Sequence, residues 1–308
     1  MQSCNSTYWI LDFLPALYWK PVVGSLVVTV SILATFENTL ILLVFYKYPI
    51  LRTKSNNILI SMSTADLFTG IILGPLYSSL LLGKQLVGNC VSNEARRYFA
   101  TLFLGASALS VGMLSIDRSL HLRRLQNYTM VNKSLYVGLF LSWFLPLAVP
   151  LIALVDTKVY SAVLFILGVC SVVVVIVSYV VLVIALKKYR SDANERLKQI
   201  YLKREKGAGI TVLIIISCYV LMLLPLLLEQ LLYSVKYFEN RDKSEQAKVA
   251  IVSHLLCMCN SVVNPVIYVS RIPDIRKHLI RLVSAERNIP PTERVSVSSG
   301  STSGSTFV

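Results

Sequence analysis

The chain has 308 residues, of which 55% are hydrophobic and only 15% charged, and its formal net charge is +14. A soluble domain carries about 25% charge, so this composition excludes an ordinary water-soluble globule. Apolar runs near the roughly 20 residues needed to cross a bilayer recur along almost the whole length.

Residues 1–20 precede the first run. They carry no basic n-region, and Asp12 interrupts their apolar stretch, so a cleavable signal peptide is not expected. Tyr8, Trp9, Tyr18 and Trp19 suit a membrane interface. Seven spans are predicted in order: Pro21 to Tyr46, Ile58 to Leu82, Tyr98 to Ile116, Leu135 to Val155, Val159 to Leu186, Ile210 to Val235 and Val249 to Val269. They fall within a unit of residues 21–270. Residues 271–283 follow, with Ile272, Ile275, Leu279, Leu282 and Val283 at helical spacing and Arg276, Lys277 and Arg281 between them. This pattern predicts an amphipathic helix on the membrane surface. Residues 284–308 are Ser-rich and expected to be disordered. The fold expected is an all-α membrane protein, a seven-transmembrane helix bundle with a short amphipathic C-terminal helix.

Charge sets the orientation. Lys47, Arg52 and Lys54 form one basic loop, and Arg118, Arg123, Arg124 and Lys133 another. The stretch Lys187 to Lys206 holds eight Lys and Arg, and Arg271, Arg276, Lys277 and Arg281 follow the last span. The alternate loops are sparse or mixed in charge. Basic loops stay cytoplasmic, which places the N-terminus outside and the C-terminus inside. The net charge then reflects topology and anionic lipid, not nucleic acid. Asn5-Ser6-Thr7 becomes an external glycosylation sequon, whereas the sequons at Asn127 and Asn132 fall on the cytoplasmic side. Cys170, Cys218, Cys257 and Cys259 lie within spans and read as packing residues. Cys4 and Cys90 are the external cysteines; a bond between them is open, because spacing does not decide it.

Each span carries one distinctive position, and where that position is a charge or a proline within a span it costs several kcal/mol unless the protein uses it. In order these are Asn38, Ala65-Asp66, Asp117-Arg118, Trp143, Tyr179, Pro225 and Asn264-Pro265-Val266-Ile267-Tyr268. One such feature per span, in this order, resembles a rhodopsin-like (class A) G-protein-coupled receptor from Pro21 to about Val283. The resemblance implies a multi-pass plasma-membrane receptor that activates heterotrimeric G proteins, not an enzyme. It also implies arrestin and receptor-kinase engagement through the Ser-rich tail. The competing class, a secondary transporter, calls for internal repeats and broken helices in matching halves, which the sequence lacks. No His-Glu-x-x-His or paired catalytic carboxylates occur in the spans.

The residues carry a chemical reading of their own. Asp66 lies mid-membrane and needs partners; Ser107, Asn260, Ser261 and Asn264 occur at similar depth. Oxygen ligands around one carboxylate suit either a small hard cation or a water cluster. In the family resembled, this set binds sodium as an allosteric modulator. Arg118 has Asp117 beside it to neutralise it, and Glu205 lies 20 residues before Pro225, within reach of the inner face of the sixth span. The two can tie the third and sixth spans together, with a solvated Glu205 as the alternative. Tyr179 and Tyr268 supply hydroxyls that can rejoin Arg118 once the sixth span swings away. Pro225 and Pro265 break the backbone ladder and kink their helices.

The chain departs from the family's usual pattern where Leu223 replaces a Trp, Tyr219 a Phe, and Ser119 a Tyr. Glu37-Asn38, the short cysteine-free stretch Asp156 to Tyr160 and the lack of Pro in the fifth span resemble the branch of melanocortin, adenosine, cannabinoid and lysophospholipid receptors. The usual amine, adenine and retinal anchors are missing at Ala100, Gln230 and Met258. The predicted ligand pocket is Ala100, Thr101, Leu104, Leu226, Leu227, Gln230, His254 and Met258, which suits a small lipid-like or weakly polar ligand. Arg96 and Arg97 are read as interface residues, attraction of an anionic headgroup being the other reading. Thr306-Phe307-Val308 resembles a C-terminal PDZ ligand.

Overall fold

The computed structural model describes residues 19–82, 90–123, 132–191, 195–235, 237 and 242–284. Every regular element among them is helical. The first span is α1 (Trp19–Lys47). The second joins α2 (Lys54–Phe68) to α3 (Gly74–Leu82) through a π-helical turn, Thr69–Leu73. Then come α4 (Cys90–Arg123), α5 (Asn132–Ala148), α6 (Thr157–Ser191), α7 (Glu195–Ser234) and α8 (Lys243–Arg271). The helix α9 (Pro273–Val283) closes the described chain. Seven of these stretches are long and apolar enough to cross a membrane.

Local chemistry explains the helix ends. Thr53 caps α2, its hydroxyl accepting from Asn56 N at 3.3 Å, and Asp242 caps α8, accepting from Ser244 N at 3.0 Å. Asp156 accepts from Lys158 N at 2.7 Å and so starts α6 immediately after the 3₁₀ turn Val149–Leu154. Inside the helices, Thr35, Thr39, Ser110 and Ser115 donate to the carbonyl four residues back, which satisfies hydroxyls where water is absent. Pro146, Pro225 and Pro265 each remove one N–H from their helices.

The spans alternate in direction; the face where α1 begins is the upper face here. The third span, α4, is central, packing on α2, α5, α6 and α7, while α1 packs against α2, α3 and α8. Close approach of α1 to the second span depends on two glycines. A Cβ on Gly70 would stand 2.4 Å from Thr35 Oγ1, and one on Gly74 2.3 Å from Ser31 Oγ. Ser31 Oγ uses this closeness to donate to the Gly70 carbonyl at 2.5 Å. Two large apolar clusters result, beside a small one around Val149 and Tyr160. The upper one gathers Val27, Leu73, Tyr77, Phe103 and Ile251, and the lower one Ile41, Ile58, Met62, Leu114, Ile215 and Tyr268. Around them runs a belt of exposed apolar side chains such as Phe36, Ile71, Phe140 and Leu221. Below the bundle, α9 buries Ile275 and packs Leu279 and Leu282 on the lower cluster, while Arg276, Lys277 and Val283 are exposed. Tyr48 and His278 meet there with ring centroids 4.6 Å apart.

Candidate functional site

Between the two clusters lies a polar layer built on Asp66, which is wholly buried. Ser261 Oγ donates to one carboxylate oxygen at 2.8 Å and Asn264 Nδ2 to the other at 2.9 Å. Both donors come from α8, so the second and seventh spans are tied at mid-depth. Asn38 extends the tie to the first span, donating to the Ser261 carbonyl at 2.9 Å. Ser107, from α4, faces the same carboxylate, and its hydroxyl forms no hydrogen bond of regular geometry. Asn38 Oδ1 and Asn260 Oδ1 are likewise buried oxygens without a hydrogen-bond donor.

Directly above, a cavity of about 1160 Å³, counted to its open mouth, lies between α4, α5, α6, α7 and α8. Ala100, Thr101, Leu104, Leu226, Leu227, Gln230 and His254 line it, as expected from the sequence; Met258 does not, being packed into the upper apolar cluster instead. Leu223 and Tyr219 face the cavity, and Tyr219 OH lies 2.8 Å from Ser171 Oγ across the gap between α7 and α6. At its floor the cavity touches Ser107, Asn260 and Ser261, so cavity and Asp66 layer share side chains.

Arg96 and Arg97 correct the sequence reading. Neither is an interface residue: they are 1% and 4% exposed. Arg96 stacks over the Tyr77 ring at 4.8 Å and donates to its hydroxyl at 3.0 Å. Arg97 pairs with Glu94, lies 5.3 Å from the centre of the Tyr160 ring, and lines the cavity. The sequence placed them near a helix end, where snorkelling is the ordinary outcome. Only the packing of Tyr77 and Tyr160 over that end reveals the burial.

A family model described as 7 transmembrane receptor (rhodopsin family) matches residues 37–162 and 154–268. The chain belongs to that family. It is a receptor rather than an enzyme, a multi-pass membrane protein, and its family signals through G proteins. The adenosine receptor A3 of Ovis aries is 22% identical over 305 residues, spanning 90% of this chain and 94% of the relative. Squid rhodopsin shares the fold with a TM-score of 0.73 at 17% identity, over 88% of this chain and 87% of that one.

The receptor's lower face carries the remaining residues singled out above. Asp117 is buried and accepts from Ser55 Oγ at 2.5 Å, which ties α4 to α2. Tyr268 is fully buried, its hydroxyl 3.6 Å from Met62 Sδ, and Tyr179 packs at the margin of the lower cluster. Higher in the bundle, Trp143 donates to Ser61 Oγ at 2.9 Å, meets Phe68 edge-on and packs against the upper cluster. The side chains of Arg118, Glu205 and Cys90 lie outside the described residues, as do Cys4, Asn5 and the segment Thr306 to Val308.

Proposed function

We propose that this receptor, its N-terminus outside the cell, takes a small lipid-like or weakly polar ligand in the cavity and activates heterotrimeric G proteins by outward movement of α7. The observation that carries the reading is the shared floor. Ser107, Asn260 and Ser261 border the cavity, and Ser107 and Ser261 also face Asp66. A ligand that shifts α4 against α8 therefore disturbs the buried carboxylate's partners. Pro225 leaves α7 one backbone hydrogen bond short at the level of the cavity, where a bend costs least.

The Asp66 layer also fits a sodium ion. A hard cation needs oxygens, and Asp66 with the undonated oxygens of Ser107 and Asn260 offers them, joined by Ser261 and Asn264. Bound there, the ion would supply positive charge to a carboxylate that lipid depth disfavours, and so stabilise the resting packing. Asp117, Arg118, Glu205, Tyr179 and Tyr268 would then form the lower switch, with arrestin, receptor kinase and PDZ partners meeting the C-terminal tail.

The test is nucleotide exchange by a promiscuous G protein, with the purified receptor in vesicles and a lipid and small-molecule library. The expected result is an agonist whose effect falls when Leu104→Trp fills the cavity. An agonist unaffected by that substitution would place the site elsewhere.

A further inference from the structure

Arg97 is the one Lys, Arg, Asp or Glu among the described residues that line the cavity. Its burial is nearly complete, and Glu94 takes only Nη2. The hydrogens on Nε and Nη1 meet no acceptor. A buried guanidinium with open donors is expensive in the apolar part of a bundle, and an intramembrane charge retained at that cost marks a functional site. Its setting favours a ligand. Tyr160, whose ring it faces, places its hydroxyl 2.5 Å from Thr101 Oγ1, and both residues line the same wall of the cavity.

The rest of the lining sets the shape of that ligand. Arg97, Ala100, Thr101, Leu104 and Ala108 form one stripe along α4, all facing the cavity. From Arg97 to Ala108 the stripe runs roughly 16 Å at 1.5 Å per residue. Below the guanidinium the wall is apolar, with Leu164, Leu167, Leu226 and Leu227 opposite. The nearby carboxylate of Glu229 is not in the lining. It lies 3.5 Å from His254 Nδ1 and within the field of Arg96. The two arginines thus divide: Arg96 faces Tyr77 and Glu229, and Arg97 faces the cavity.

We propose that the receptor's ligand is an elongated apolar molecule ending in a single oxyanion, which Arg97 grips with one of its open N–H donors beside the Thr101 and Tyr160 hydroxyls. This rests on the cavity being the ligand site and narrows it to one chemical class. A carboxylate and a phosphate monoester both present the acceptor oxygens that Arg97 calls for.

The experiment uses the full-length receptor in phosphatidylcholine nanodiscs, with oleate, oleyl phosphate, methyl oleate and oleylamine as probes. Binding is read by thermal unfolding and by displacement of a fluorescent oleoyl probe. At least one acid should bind about tenfold or more tightly than methyl oleate, as a charge-assisted contact in a dry site requires. Which acid prevails separates a carboxylate source from a phosphate one. Arg97→Gln should erase the preference of acid over ester, and Arg97→Lys should keep part of it. A purely structural arginine would change stability without changing that ratio. Should Arg97→Gln fail to fold, the wild-type ratio and the Tyr160→Phe variant, which removes the neighbouring hydroxyl, still decide. The proposal is overturned if the ester or the amine binds as tightly as both acids, if no probe binds, or if the acid preference survives Arg97→Gln undiminished. Nucleotide exchange driven by methyl oleate alone would overturn the oxyanion and leave the receptor reading standing. Basal nucleotide exchange without any probe judges that reading separately.

Discussion

Two of the buried charges in this bundle, Asp66 and Arg97, are treated in opposite ways. At mid-depth both carboxylate oxygens of Asp66 accept hydrogen bonds, from Ser261 and Asn264. Near the upper face Arg97 is met on one side by Glu94, while two of its nitrogens meet nothing. Satisfied polar groups hold a structure together, whereas open ones are held for something that arrives. Asp66 joins helices, and Arg97 waits on a cavity wall. The shared floor of Ser107, Asn260 and Ser261 is where one could inform the other.

The sharpest way to break this contrast is to remove the satisfied charge. Asp66→Leu leaves the Ser261 hydroxyl and the Asn264 amide buried without an acceptor, so it should cost about 2–6 kcal/mol, or 1–3 per stranded group. Thermal unfolding of purified receptor measures this; a loss under 1 kcal/mol would mean that the layer is hydrated and loosely held. Asp66→Asn keeps the shape and removes the charge. Any sodium dependence of agonist affinity should vanish with it, and a wild-type affinity indifferent to sodium against a matched large cation would sink the ion site.

Next in size is a steric test of the frame around Asp66. Gly70 lies one turn beyond it in the π-helical turn, against Thr35 and the Ser31 carbonyl. Gly70→Leu forces α1 away and should destabilise by about 1–3 kcal/mol or more, with surface expression falling accordingly. Normal expression and melting would show that α1 can shift freely, and so that Asn38 does not fix the layer.

A cavity test sharpens the other half. Leu104→Trp overfills the space below Arg97 and should weaken an agonist about ten- to a hundredfold. Gln230→Ala removes a neutral group and should cost only a fewfold. The reverse order would describe a ligand held by polar contacts rather than by its apolar body.

Much of the satisfied layer was legible in the sequence, and the open charge was not. Asn38, Asp66, Ser107 and Asn264 stand out because lipid depth makes any polar side chain conspicuous and helical periodicity fixes relative depth. Arg97 sits close to a helix end, where the same side chain can snorkel or turn inward, and only the neighbours of Tyr160 and Thr101 decide between the two. Met258 failed for a related reason. Depth alone does not say which way a side chain faces, and Met258 packs into the upper apolar cluster rather than lining the cavity. The π-helical turn at Thr69–Leu73 has no periodic signature, since one extra residue looks like phase noise in an apolar run.

The smallest expected effect concerns the lower face, where the contrast between held and open charges can be extended to a third region. Asp117 is held by Ser55 from α2, so the acid next to Arg118 belongs to the frame of α2 and α4. The partner expected for Arg118 is Glu205, which lies on α7, the helix expected to move. A pair at the edge of the bundle is worth about 0.2–1 kcal/mol, because water competes for both partners. Removing it with Glu205→Ala should therefore raise ligand-free nucleotide exchange by only about a factor of two to five. The change must appear in basal activity, since the contact is expected in the resting state alone. At equal surface expression, unchanged basal exchange would assign Glu205 to solvent and leave the resting state to Asp66 and apolar packing. A rise well beyond that range would instead mean that the pair is desolvated, and that the lower face, like the mid-bundle layer, keeps its charges fully met until the receptor is activated.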